Sequence, residues 1–261
     1  MDADAAAQHL LDHRQRQATM EDLPPDLRPT DLAEAYRVQE VLVGRLLEGS
    51  GGRAIGYKVA CTNPIAQEAL KIDRPVFGRL LSSTTFDSPA ALPSDRFVHR
   101  VVEAEFGVRM GATVPEGSGP HTAATIARYV GEVLPSIEVV DHRFVDWSVG
   151  ALPVAADNAI HGCWVKGEPA TRDWRKLNLA YHEVTVTVDG EVATVGTGRA
   201  VLGHPLNVVA WLADELPRFG RQLRAGDYIT TGVCTDVFEA VAGQTTTADF
   251  GPLGSVAITW Q

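Results

Sequence analysis

The sequence contains little cysteine and none of the short motifs that mark several common enzyme classes. Its three cysteines form no CxxC pair, and an odd number leaves one thiol unpaired in any disulfide scheme. We therefore expect a reducing compartment, the cytoplasm. It has no HExxH or cysteine–histidine zinc spacing, no GxSxG turn, and no glycine-rich phosphate loop after a predicted strand. These absences argue against a zinc site, a nucleophilic triad and a doubly wound nucleotide-binding fold.

Long hydrophobic runs and runs of basic residues are also missing. With 23 Lys and Arg against 33 Asp and Glu, the formal net charge is −10, which repels a polyanion, so we expect no nucleic-acid partner. No apolar stretch is long enough to cross a bilayer and no signal-peptide pattern is present, so we expect no membrane partner. A small anionic substrate is compatible with this charge, because one bound divalent cation reverses the local sign.

The patterning changes along the chain from helical to alternating. Hydrophobic residues make up 45% of the sequence, which is enough for a buried core, and no internal repeat is present. In the first third, helical spacing precedes Pro24–Pro25, follows Asp31 and follows Asn63–Pro64. From about Val98 strand-like alternation dominates, interrupted by one long helix that His204–Pro205 opens. We predict an α+β fold with a helical N-terminal region.

The strongest local signal is a pair of acids in the predicted strand Val101–Met110. Side chains alternate along a strand, so Glu103 and Glu105 share one face while the opposite face is entirely apolar. Two like charges at this spacing repel each other, and solvent, other cations or a bound metal relieves the repulsion. The alternative interpretation is the solvated outer face of an edge strand, which the pair alone does not exclude.

A third acid, Glu138, lies in the apolar, strand-like segment Ser136–Asp141. Burying a carboxylate there without a partner is costly. Two carboxylates from one strand and one from another form a candidate all-oxygen site for Mg²⁺ or Mn²⁺. The alternative is that Glu138 forms an ion pair with Arg109 or Arg143.

Two further segments place polar groups in apolar surroundings. Lys58 lies in a strand-like stretch that leads into a capped helix, and it is either a surface lysine or an active-site cation. The segment Asp157–Cys163 carries polar groups on a loop before a strand, and these either reach a site or satisfy backbone hydrogen bonds. No cysteine has a context that marks a thiolate, so we expect all three to be small buried hydrophobic residues.

Together these segments resemble the 2-keto-4-pentenoate hydratase and 4-oxalocrotonate decarboxylase group of the fumarylacetoacetate hydrolase superfamily. The matching stretches occur in the family order and span nearly the whole chain. They are GYKVACTN (56–63), RPVFGRL (74–80), VEAEFGV (102–108), LPSIEVVDHRFVDW (134–147), DNAIHG (157–162), VLGHPLNVVAWLADEL (201–216), LRAGDYITTG (223–232) and GPLGSVAITW (251–260).

The resemblance implies both a fold and a metal site. The fold is a mixed β-barrel-like roll with a helical N-terminal region, which we place at residues 1–72 and 73–261 for the helical region and the catalytic β domain. Such proteins usually assemble into homo-oligomers. The implied ligands of Mg²⁺ or Mn²⁺ are Glu103, Glu105 and Glu138, the three acids that the strand patterns had already grouped.

The resemblance also implies that Lys58 faces the substrate, a small 2-oxo or 2-hydroxydienoic acid. We predict Asn158, Ser83 and Thr231, in or near the matching segments, as further substrate-binding residues. The expected activity is hydration of a 2-hydroxy-2,4-dienoate to a 4-hydroxy-2-oxo acid, with the metal acting as a Lewis acid.

Several pocket positions depart from the family pattern. Ala60 replaces a glycine, Ser83 aligns with an acid of the hydratases, and Val233–Asp236 replaces small residues. Ile160 and His161 replace small residues in the DNAIHG segment. We hypothesise that His161 faces the pocket and has taken over proton transfer; the alternative is that it turns outward and bonds to the loop backbone.

Three other functions remain open from the sequence. Decarboxylation of a vinylogous 2-oxo acid is the nearest, because the same chelate serves as its electron sink. Hydrolysis of a C–C bond would need a base beside the metal, for which His142 and His161 are candidates. A non-catalytic paralogue in a mixed oligomer is compatible with the loss of the acid at Ser83, whereas the retained glutamates argue against it.

Overall fold

The computed structural model describes residues 1–261 and combines short helices with two β-sheets. The helices are α1 (Ala3–Arg16), α2 (Leu32–Ser50), α3 (Pro64–Ala69), α4 (Ala123–Ile126), α5 (Ala151–Ala156) and α6 (Pro205–Glu215). None of these helices has both the length and the apolar character needed to traverse a lipid bilayer.

The helix starts predicted after Asp31 and after Asn63 are confirmed. Asp31 caps α2 by accepting a hydrogen bond from the Glu34 N–H at 2.8 Å, and Gly51 ends the helix with a left-handed backbone. The Glu34 carboxylate accepts from the N–H of Thr30, one residue earlier than in a capping box. Asn63–Pro64 begins α3 as predicted.

Thirteen strands form the rest of the regular structure. They are β1 (Ala54–Ala60), β2 (Val76–Leu81), β3 (Thr85–Asp87), β4 (Ala90–Leu92), β5 (Val101–Met110), β6 (Val130–Val140), β7 (His161–Lys166), β8 (Glu183–Val188), β9 (Glu191–Thr197), β10 (Tyr228–Thr230), β11 (Phe238–Glu239), β12 (Thr245–Asp249) and β13 (Ser255–Trp260). Strands β8 and β9 form a hairpin, whose turn residues Asp189 and Gly190 both have positive φ.

The strands lie in two open mixed sheets. The main sheet has the order β2-β1-β10-β5-β6-β7-β3, with β11 also paired to β5, and the second has the order β4-β13-β12-β8-β9. Parallel pairs such as β1–β10 occur beside antiparallel ones. The α+β class is therefore confirmed. The barrel-like roll is not, because neither sheet closes on itself.

One continuous hydrophobic core joins the helices to both sheets. It includes Leu10 of α1, Leu42 of α2, Phe106 of β5 and Val256 of β13. The expected division between residues 1–72 and 73–261 stays a prediction. Within the first range, β1 is a strand of the main sheet, paired with β2 and β10, so this range is not purely helical.

A candidate metal centre beside an apolar cavity

The carboxylates of Glu103, Glu105 and Glu138 converge on one point of the main sheet. Strand β5, which carries Glu103 and Glu105, lies between β10 and β6, so it is a central strand and not the solvated edge strand of the alternative interpretation. Antiparallel pairing sets Glu138 directly opposite Glu103, on the same face of the sheet. Ligand oxygens of the three residues lie within 4.8 Å of one another. Glu138 does not pair with Arg109 or Arg143, both of which contact other acids.

Lys58 reaches this cluster from β1, which two other strands separate from β6. In a flat sheet, three steps of about 4.8 Å would hold these strands about 14 Å apart. The Lys58 Nζ nevertheless lies 3.2 Å from Glu138 Oε1, so these two long side chains extend toward each other over the strands between them. Lys58 is 1% exposed, which excludes the surface-lysine interpretation.

A left-handed turn over Asn158, Ala159 and Ile160 contacts the same lysine. All three residues have positive φ, at 53°, 49° and 57°, which costs non-glycine residues on the order of 1–3 kcal/mol each. The Ala159 carbonyl accepts a hydrogen bond from Lys58 Nζ at 3.0 Å. The Asn158 side chain holds the turn by bonding to both backbone groups of Arg79. The backbone strain therefore lies beside the one cation of the cluster.

The charges of Glu138, Lys58 and His161 are set by one another. Burial would raise the pKa of Glu138, but Lys58 and the hydrogen bond from His161 outweigh it and lower the pKa. Burial would lower the pKa of Lys58, but the glutamates outweigh it and raise the pKa. Burial lowers the pKa of His161, so its ring is neutral, and Nδ1–H donates to Glu138 Oε1 at 2.9 Å. The result is a buried ion pair supported by a neutral imidazole.

At Glu103 and Glu105, the nearby positive charge does not offset the effect of burial on the pKa. Burial raises the pKa of Glu103 to about 7, and Lys58 only partly opposes this rise. Burial also raises the pKa of Glu105, and repulsion from the other two glutamates adds to the rise. The Gly232 N–H donates to Glu105 Oε2 at 2.7 Å, whereas the buried Oε1 has no partner. An oxygen-only donor set with excess negative charge and an unpartnered buried oxygen fits a hard divalent cation.

A cavity of about 780 Å³ lies against this cluster. Lys58 and Glu103 line it, and most of the remaining wall is apolar, including Ile160, the bulky residue of the DNAIHG segment. Cys61 and Cys234 also line the wall as buried free thiols. Burial raises the pKa of Cys61 to about 11, so this residue acts as a small apolar group, as expected for all three cysteines.

Three residues predicted to bind substrate are not brought to the cavity. The Asn158 amide is occupied by backbone groups, and the buried Thr231 hydroxyl donates to the Phe106 carbonyl at 3.0 Å. Ser83 lies in a 3₁₀ turn with its hydroxyl beside Gly52. None of the three lines the cavity, so in this structure Asn158 and Thr231 support the backbone around the site.

His161 lies within the cluster but does not line the cavity. Its side chain is 1% exposed, and its ring lies between Glu138 at Nδ1 and the Thr84 hydroxyl, 3.3 Å from Nε2. Neither the pocket-facing hypothesis nor the outward-turned alternative describes this position. The cause is that His161 begins β7, which pairs with the strand of Glu138.

Two polar contacts of the cluster were missed from the sequence. The Thr230 hydroxyl lies 3.3 Å from Glu138 Oε2, so the threonine beside the predicted Thr231 is the one that faces the site. Thr84, which contacts His161, is likewise adjacent to the predicted Ser83. Neighbouring residues point to opposite faces in a strand such as β10, and they also point in different directions in the 3₁₀ turn of Ser83 and Thr84. An error of one residue therefore selects the wrong side chain. The segment Thr230–Gly232 indicated that a threonine reaches the site. The sequence alone did not show which of its two threonines does so.

The chain is similar over its length to proteins of one family. Residues 62–259 match the family described as fumarylacetoacetate (FAA) hydrolase C-terminal. A 2-keto-4-pentenoate hydratase of Burkholderia vietnamiensis is 34% identical over 95% of this chain and 94% of that protein. A solved 4-oxalocrotonate decarboxylase from Pseudomonas putida G7, complexed with magnesium and adipate, has a TM-score of 0.91 and 27% identity, covering 99% of this chain and 97% of that chain. The chain therefore belongs to the fumarylacetoacetate hydrolase family, as the resemblance predicted.

Proposed function

We propose that this protein is a divalent-metal-dependent hydratase that adds water to a 2-hydroxy-2,4-dienoate and yields a 4-hydroxy-2-oxo acid. The observation that carries the proposal is the convergence of three carboxylates and one buried lysine beside a cavity. Relatives named 2-keto-4-pentenoate hydratase, 31% to 35% identical over most of the chain, support this reaction. A non-catalytic paralogue is disfavoured, because it has no need for buried, mutually repelling carboxylates.

Glu103, Glu105 and Glu138 would hold the cation, Mg²⁺ or Mn²⁺. When bound, the cation supplies Lewis acidity toward the oxygens of a chelating 2-oxo or 2-hydroxydienoic acid. Lys58 and His161 fix the orientation of Glu138. A backbone N–H fixes one oxygen of Glu105 and leaves the other free. Two of the three proposed ligands are therefore oriented before any cation binds.

Lys58 would act on the charge of the substrate. Its raised pKa keeps the ammonium protonated, and two of its three N–H groups are directed to Glu138 and to the Ala159 carbonyl. The third is available to the cavity that Lys58 lines. There it would stabilise negative charge on a substrate oxygen or hold the proton to be transferred. The mostly apolar wall lowers the local dielectric constant, which strengthens this interaction.

Hydrolysis of a C–C bond is disfavoured by the positions of the candidate bases. His142 bonds through Nδ1 to the Phe144 carbonyl at 2.6 Å and stacks on His99 with ring centroids 3.8 Å apart. Neither His142 nor His161 lines the cavity. We propose that His161 is a positioning residue that acts through Glu138 rather than the base that moves the proton of the substrate.

Decarboxylation is the second candidate, because the decarboxylase structure matches the fold at a TM-score of 0.91. The two reactions are separated by incubating the protein and Mg²⁺ with 2-hydroxypenta-2,4-dienoate and with 4-oxalocrotonate, and following products by NMR. We expect a 4-hydroxy-2-oxo acid from the dienoate. Release of CO₂ from 4-oxalocrotonate without hydration of the dienoate would reject the hydratase and assign the decarboxylase.

We also propose that the protein is a homo-oligomer. Support comes from the edge strand β9, where Val192 and Val195 are 64% and 50% exposed. Light scattering measures the assembly.

Elemental analysis of the same sample measures its metal content after loading with Mn²⁺. One metal ion per chain supports the enzyme, whereas no retained metal would support the non-catalytic paralogue.

A further inference from the structure

The cavity has one positive charge, and that charge lies beside the acid cluster. Of the 26 lining residues 16 are hydrophobic, and the charged side chains among them are Lys58, Glu103 and Asp236. The ammonium of Lys58 already contacts Glu138. One substrate carboxylate therefore finds partners at the metal centre. A second carboxylate further along the cavity would lose its hydration against an apolar wall and an acid, which is unfavourable.

Two basic residues are adjacent in sequence to lining residues, but they do not change the charge of the cavity wall. Lys71 follows the lining residue Leu70, but its Nζ lies 3.4 Å from the Ser148 carbonyl, and it does not line the cavity. Arg199 precedes the lining residue Ala200, and its guanidinium contacts the exposed ring of Tyr181 instead. The wall therefore offers no cation for a second carboxylate.

The size and lining of the cavity indicate which part of a substrate would fill the space beyond the metal centre. Its volume of about 780 Å³ lies in the range of about 300–1,000 Å³ that holds drug-sized ligands, and a five-carbon dienoate fills only a small part. The apolar lining continues to the surface, where Ile65, Trp147 and Val237 are exposed. We infer that the preferred substrate is a monocarboxylic 2-hydroxydienoate with an extended apolar substituent at the end remote from its carboxylate.

This inference rests on the proposed function, so its first test measures binding without turnover. Saturated 2-oxo acids lack the carbon–carbon double bond to which the enzyme would add water, and calorimetry with Mg²⁺ present gives Kd for 2-oxohexanoate, 2-oxononanoate and 2-oxoadipate. Each buried methylene strengthens binding up to roughly fourfold, so 2-oxononanoate should bind at least tenfold more tightly than 2-oxohexanoate. The diacid 2-oxoadipate should bind more weakly than 2-oxohexanoate. Equal affinities, or tighter binding of the diacid, would overturn the inference.

The second test uses 2-hydroxydienoates with hydrogen, n-propyl, phenyl or carboxylate at C5. We expect kcat/KM to rise at least tenfold from hydrogen to n-propyl and to be lowest for carboxylate. Turnover of none of the four would reject the proposed function itself. Turnover with the unsubstituted or the carboxylate compound preferred would reject only the substrate class.

A pair of variants locates the charge effect. Asp236 is exposed and lines the cavity, whereas Glu191 is exposed and does not. Asp236→Asn should strengthen 2-oxoadipate binding severalfold and leave 2-oxononanoate unchanged. Glu191→Gln changes the net charge equally and should leave both values unchanged. Equal effects of the two substitutions would contradict a local role for Asp236.

Discussion

Two buried groups of charges adjoin the left-handed turn, and they differ in composition. In the first group, Asp157 accepts a hydrogen bond from Arg14 Nε at 2.6 Å, and Asp141 pairs with Arg143. Each acid in this group has its own guanidinium. In the second group, the three glutamates of the metal centre share the single ammonium of Lys58.

The balance of charge distinguishes structural ion pairs from a site that can bind a cation. The matched group is not perfectly satisfied: burial raises the pKa of Asp157 against the effect of Arg14, and one of its oxygens has no partner. Its charge is balanced nonetheless. The metal centre has three carboxylates and only one ammonium. The folded structure does not require this excess of acid, and such perturbed titratable groups commonly cluster at functional sites.

The largest effect is expected from breaking the metal centre. Replacing Glu105 or Glu138 by Gln should lower activity at least about a thousandfold, or about 4 kcal/mol of transition-state stabilisation. The fold of Glu105→Gln should persist, because removing one of the repelling charges does not destabilise the metal-free protein. Glu138→Gln also removes the partner of the buried Lys58 ammonium and should lower the free energy of unfolding. Kinetics with Mg²⁺ test the loss of activity, and thermal unfolding in a chelator tests the stability of the fold. Glu132→Gln changes a more exposed acid on β6, the strand of Glu138, and should behave as wild type; an equal loss there would contradict a specific site.

Breaking the matched group should instead destabilise the folded protein. Arg14→Ala leaves the Asp157 carboxylate buried and unpaired, and losing one partner of a buried pair costs about 3–5 kcal/mol. Urea denaturation measures the free energy of unfolding. Arg45→Ala removes a more exposed contact to Asp4 and should cost less than about 1 kcal/mol. Similar losses in both variants would show that the Arg14 pair is no more than a surface contact.

Removing the shared cation tests the metal centre without touching its ligands. Lys58→Ala should lower kcat about a hundredfold, or about 2.7 kcal/mol, and change KM much less, since the charge acts mainly on the developing enolate. Lys58→Met keeps the apolar stem and should show the same kinetic defect. Full activity in either variant would assign Lys58 to packing alone.

The smallest expected effect is a pH-dependent difference in stability. Burial raises the pKa of Glu103 from 4.5 to about 7 in the folded state, so its stabilising contribution is present below the unfolded pKa and is lost as pH rises to 7. Relative to wild type, Glu103→Gln should therefore gain a few degrees in Tm between pH 5 and pH 8 in a chelator. Mg²⁺ should reverse this gain at pH 8 by stabilising wild type. A Tm difference that is constant with pH would contradict the raised pKa.

Much of the centre was predictable because it depends on local pattern. Alternation put Glu103 and Glu105 on one face, and the cost of burying Glu138 in an apolar strand marked it as exceptional. The positions of His161 and Thr230 were not predictable in this way. They depend on which strands pair and in which register, and these pairings join residues more than 20 positions apart.

The sequence by itself determined the α+β class, the ends of α2 and α3, the three acids and the family, since each is a matter of residue type and short-range spacing. Only the tertiary structure decided that Lys58 crosses two strands to reach Glu138, that three consecutive residues adopt positive φ, and that His161 lies beside Glu138 and not in the cavity. These features follow from how the strands of the main sheet are ordered and paired. Strand order and pairing are collective properties of the packed sheet, and no single segment encodes them.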